Sequence, residues 1–155
     1  MTVARTVGAV GGALVAGLGI TALLIAGERK SGEPSELTRL ERASSKKLGR
    51  HVPPAGSLPA PGEQALVQGG HLLLSAVAGL VYAATTEENA AIVPSGLVFG
   101  LAFYGVAHWL IGPTFGVKQP EWRSDAGTIG MHLANHAAFG LATAAGAKLG
   151  ARTTD

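Results

Sequence analysis

Four runs free of Asp, Glu, Lys and Arg occupy most of this 155-residue chain: Thr6 to Gly27, Gln64 to Thr86, Asn89 to Val117 and Ala126 to Ala147. A bilayer core of about 30 Å takes roughly 20 helical residues to cross, and each run meets that length. A chain this short could not bury all four runs in a water-soluble core. None of them alternates apolar and polar residues, which excludes half-buried strands. The pattern therefore predicts an all-α integral membrane four-helix bundle. Residues 1–155 form a single membrane domain with spans at about 6–27, 64–86, 91–111 and 126–147.

Composition agrees. Charged residues are 14% of the chain, against about 25% in a typical soluble domain, and they are segregated. Seven of the twelve Lys and Arg residues lie between Arg29 and Arg50. The first run, preceded by Arg5, also has the outline of a secretory signal. It exceeds the usual length of such a core and runs through Leu23, Leu24, Ile25 and Ala26 into the charged stop Glu28-Arg29-Lys30, so a retained span is expected. With no cysteine in the chain, disulfides, thiolate metal sites and thiol catalysis are excluded. The net charge of +2 does not describe a nucleic-acid surface, and membrane lipids are the expected partner.

Four spans place both termini on one side and the first and third loops on the other. Those two loops hold nine basic residues, and the other side holds Arg5, Lys148 and Arg152. The positive-inside rule then puts loop 28–63 in the cytoplasm and both termini outside it, in a cell membrane. Trp109 and Trp122 suit an interfacial aromatic belt on the cytoplasmic side. Within the long loop, Ser35 to Leu48 has the outline of a short basic amphipathic helix capped by Ser35, with a solvated charged loop as the alternative. His51 to Pro61, with four prolines, is an extended linker.

Glycines recur at intervals of four at Gly8 and Gly12, Gly96 and Gly100, and Gly146 and Gly150. In lipid, helices associate through close backbone approach at small residues, so these are candidate packing positions. Pro94 falls in the first turn of the third helix, where its missing N–H costs nothing.

Polar side chains within spans are costly and mark function or inter-helix bonding. Gln64, Gln68, His71 and Ser75 share one face of the second helix, and Tyr104 and His108 rise along the third. His132, Asn135 and His136 group on the fourth. Alternating spans put all four histidines in the half facing the basic loops. The expectation is an intramembrane polar cluster of Gln68, His71, His108, His132, Asn135 and His136, bonding helices together.

A small transporter or channel subunit using a His/Asn path is the alternative, although the runs hold no Asp or Glu for proton transfer. No catalytic residues, metal ligands or cofactor are assigned. Haem or metal binding through His71 and His136 is a second alternative. A homo-oligomer or a membrane-complex partner fits so small a protein.

The stretch Gly96 to Thr143 reads GLVFGLAFYGVAHWLIGPTFGVKQPEWRSDAGTIGMHLANHAAFGLAT. It has a small-residue helix ending at a turn with Pro113 and Gly116, then a loop with Pro120 and Trp122. A helix with His132, His136, Phe139 and Gly140 follows. This resembles the YagU-like family of bacterial inner-membrane proteins over about a third of the chain. The chain departs from that family in carrying His108 and Trp109 where acidic residues are common. The resemblance implies a multi-pass inner-membrane protein, sometimes linked to acid stress, with no catalytic residues to carry over.

Overall fold

The computed structural model describes residues 2 to 152 apart from 115 and 117, and among the described residues every regular element is helical. Helix α1 spans Val3–Ser31, with the Thr2 side chain accepting a hydrogen bond from the Arg5 N–H. It stops at Gly32, where φ is 71° and the cap N–H bonds the Glu28 carbonyl; the left-handed backbone there suits glycine. Helix α2, Glu36–Lys47, is the short basic helix of the first loop, with Ser35 as its N-cap. Helix α3, Pro61–Thr85, opens with Pro61, whose missing N–H is harmless in a first turn.

Helix α4, Ile92–Thr114, is not uniform. It is α-helical over Ile92–Tyr104, π-helical over Gly105–Ile111 and α-helical again through Gly112–Thr114. The Gly112 N–H reaches back five residues to the Ala107 carbonyl, and Pro113 has no N–H with which to extend the ladder. The helix thus runs three residues past the span end expected near Ile111, and the Gly116 N–H bonds the Pro113 carbonyl in the turn that follows. A single 3-10 turn, Glu121–Arg123, precedes helix α5, Ala126–Ala151, which Asp125 caps by accepting from the Thr128 N–H.

The long helices pack in the spatial order α3, α1, α5, α4. Tyr82 closes the outer pair: its hydroxyl lies 2.7 Å from Ser95 Oγ, and its ring meets Phe99 edge-on at 5.2 Å. The buried core is made of small residues around these aromatics, with Ala9, Ala83, Ala144 and Ala147 about Tyr82, and Ala13 and Ala78 about Phe139. Large apolar side chains point outward, among them Leu18, Leu23, Leu73, Val98 and Leu110.

Among the described residues, three helices are long and apolar enough to cross a membrane: α1, α3 and α4. α5, at 26 residues, is long enough but not apolar enough, because His132, Asn135, His136, Thr143 and several glycines dilute it. Its polar side chains are turned inward, with His132 and Thr143 buried. The loops that carry α2 and the 3-10 turn meet at one end of the bundle, where Glu36 contacts Lys118 and a Cβ on Gly116 would touch the Lys47 side chain.

Candidate functional site

At that end, α2, the 3-10 turn, α4 and α5 bring together Glu36, Lys118, Glu121, His108, His132 and His136. Glu121 is fully buried. His132 sits between two carboxylates, with Nδ1 2.6 Å from Glu121 Oε1 and Nε2 2.7 Å from Glu36 Oε2. Ionised carboxylates only accept hydrogen bonds, so both ring nitrogens donate and His132 is an imidazolium. The Lys118 ammonium lies 2.5 Å from Glu36 Oε1, 2.7 Å from Glu121 Oε2 and 2.7 Å from His108 Nδ1. Two carboxylates, one imidazolium and one ammonium make a neutral quartet, which is how charges are tolerated away from water.

The remaining protons follow from the geometry. Lysine only donates, so His108 Nδ1 accepts from Lys118 and carries a lone pair. The 3.4 Å separation of His108 Nδ1 from Glu121 Oε2 is then a contact across the shared ammonium. His108 Nε2 must carry the hydrogen and donate to His136 Nε2, 3.2 Å away. That leaves the proton of His136 on Nδ1, a buried atom with no hydrogen-bond partner. The rings of Phe103 and Tyr104 pack against His136 and close the cluster off from the rest of the bundle.

Burial pushes the Glu36 carboxyl up, but its contacts with His132 and Lys118 outweigh burial and hold it at about 2. Glu121 is likewise raised by burial and brought below the usual carboxylate range by the same two partners. Both are ionised at neutral pH.

The expected polar cluster divides in two. His108, His132 and His136 are in the site just described. Gln68 and His71 meet Thr21 of α1 instead: its hydroxyl donates to Gln68 Oε1 at 2.9 Å and lies 3.2 Å from His71 Nδ1. Asn135, half-buried on α5, joins neither group. The two histidines named for haem ligation therefore have different neighbours, Thr21 for His71 and His108 for His136. The runs themselves hold no Asp or Glu, yet His132 has acidic partners, because Glu36 and Glu121 reach it from the loops. A search confined to the uncharged runs misses both. The available signal is Ser35-Glu36 at a helix start and Glu121 between Pro120 and Trp122.

The spaced glycines lie at helix crossings. A Cβ on Gly8 or Gly12 would strike the backbone of α5 at Gly146 or Ala142, and one on Gly150 the Ala4 carbonyl. A Cβ on Gly96 would lie 2.9 Å from the Gly140 carbonyl oxygen, and one on Gly100 would strike the His136 carbonyl.

At the opposite end, Arg5 is only 2% exposed. It donates to the Ala83, Thr86 and Glu87 carbonyls and to the Thr86 hydroxyl. A cation is favourable at the C-terminus of α3. Trp109 and Trp122, both exposed, lie with their rings 5.6 Å apart at the loop end.

No protein-family model matches the chain, and neither a curated protein nor a solved structure matches it.

Proposed function

We propose that this chain is a four-span protein of the bacterial inner membrane with a structural or assembly role in the cell envelope, including its stress response. The observation that carries this reading is the backbone contact of α1 with α5 and of α4 with α5 at Gly8, Gly12, Gly96 and Gly100. Backbones in contact leave no space at these crossings, and most polar side chains of the loop-end cluster bond one another. α5 packs against α1 from Gly150 beside Ala4 to Ala142 beside Gly12, and against α4 from Gly140 beside Gly96 to His132 beside His108. If its neighbours cross the bilayer, it crosses with them. The central place of α1 supports a retained first span. The basic residues around α2 and the 3-10 turn support a cytoplasmic position for that end.

The absence of cysteine makes topology directly measurable. Single cysteines replacing Asn89 and Arg152 should react with an impermeant maleimide in intact spheroplasts, and Ser44→Cys only after permeabilisation. Arg152→Cys behaving like Ser44→Cys would remove the fourth span. A transporter reading draws on the Glu36–His132–Glu121 chain, which supplies the carboxylates such a path needs. Proteoliposomes holding the purified protein should pass no more protons than empty vesicles. A flux lost in a folded His132→Ala variant would replace the structural role with transport.

A further inference from the structure

We propose that the position now filled by the Lys118 ammonium is a binding site for a divalent first-row transition-metal ion, with Glu36, Glu121 and His108 as ligands. The ammonium is a cation already held by two carboxylate oxygens and one imidazole nitrogen at 2.5 to 2.7 Å. Imidazole with carboxylates suits zinc, manganese or iron, whereas magnesium and calcium favour all-oxygen sites. Within the proposed trio, His108 Nδ1 lies 3.4 Å from Glu121 Oε2, and donor atoms of Glu36 and His108 fall within 4.8 Å of each other. Metal bonds of about 2.0–2.2 Å need only a modest contraction from there, and the ligands come from three separate segments that can adjust.

Two details distinguish this from an ordinary salt-bridge cluster. The first is how the carboxylate oxygens are shared. His132 occupies Glu36 Oε2 and Glu121 Oε1, leaving Glu36 Oε1 and Glu121 Oε2 to face the ammonium. Those two oxygens are buried, and the group that faces each of them within 2.7 Å is the Lys118 ammonium. The second is the support behind the nitrogen ligand. His108 presents a lone pair on Nδ1 while its Nε2–H is held by His136, the outer-shell bond that orients a metal-ligating imidazole. His132 orients both carboxylates in the same way. Lys118 is thus an internal competitor for the ion, and Glu36, about one-third exposed, is the ligand nearest solvent. The site depends on the fold and not on the role proposed above.

The test uses tag-free full-length protein in detergent, stripped with a chelator. Zn²⁺ is titrated calorimetrically and Co²⁺ by its visible absorption. One equivalent is expected to bind. Lys118→Met, by removing the competing ammonium, should tighten binding about tenfold or more, and His108→Gln should weaken it by a similar factor and alter the Co²⁺ spectrum. Failure of both the wild type and a helical Lys118→Met protein to take up one equivalent overturns the site. If Lys118→Met does not fold, His108→Gln in the native background decides. A tenfold loss upholds the proposal, and unchanged affinity overturns it.

Discussion

The backbones of Gly12 and Gly146 are in contact: a Cβ added to Gly146 would lie 2.9 Å from the Gly12 Cα, and one added to Gly12 would lie 3.2 Å from the Gly146 Cα. The obstacle on each side is backbone, which cannot rotate away as a side chain could. A large residue here must therefore separate α1 from α5. Gly146→Leu is expected to cost at least the 1–3 kcal/mol or so typical of overpacking, read as a lower melting temperature in detergent. Gly11→Leu is the control, because a Cβ there meets nothing within 4 Å. Equal melting temperatures for the two variants would mean that the α1–α5 contact is not close.

Arg5 ties the start of α1 to the end of α3 through one guanidinium and four oxygen acceptors. Hydrogen bonds to a charged group contribute about 1.5–3 kcal/mol, and they do not add when one side chain makes several. Arg5→Gln should lower stability by about 2–3 kcal/mol on that scale. Arg152→Gln, at an exposed position, should stay within about 0.5 kcal/mol of the wild type. An Arg5→Gln protein as stable as Arg152→Gln would show that Arg5 is only a topological charge.

His132→Ala leaves the fully buried Glu121 facing a gap where an imidazolium stood. Removing one partner of a buried pair costs up to about 3–5 kcal/mol, and the loss falls toward the lower end here because Lys118 still faces Glu121. Glu121→Gln removes that charge, so the double variant should be more stable than the sum of the two single losses predicts. A coupling of about 1–3 kcal/mol is expected from a double-mutant cycle of melting curves in detergent. Additive losses would mean that the two side chains do not share a proton.

The helices were legible because a charge-free run of twenty residues admits few alternatives in lipid, and Gly32, Pro61 and Asp125 mark helix ends by local rules. The glycine intervals named the faces but not the pairing. That Gly8 meets Gly146 while Gly96 meets Gly140 depends on which helices are neighbours, and no interval encodes this. The polar cluster was legible only in its histidines. Glu36 and Glu121 are separated by 85 positions and lie outside the charge-free runs, so only tertiary structure brings them to His132. The π-helical stretch of α4 left no mark beyond Pro113. α5 escapes an apolarity criterion for the same reason that it matters, since its polar side chains are its inward face.

Arg42 holds the proline-rich linker in place, and this gives the loop a measurable weakness. Its Nε and Nη2 grip both Glu63 oxygens, at 2.6 and 3.1 Å, while Nη1 donates to the Pro54 and Ser57 carbonyls at 3.0 and 2.9 Å. Lysine has neither the planar fork nor enough donors for this geometry. Arg42→Lys should therefore keep the charge and release residues 51 to 60. A local loss of about 1–2 kcal/mol multiplies the open population by roughly 5–30, and proteolysis follows that population when opening is fast. Trypsin should cut after Arg50 faster by that factor in the variant, with helical content unchanged. Equal cleavage rates would place the restraint on the linker elsewhere, in its prolines rather than in Arg42.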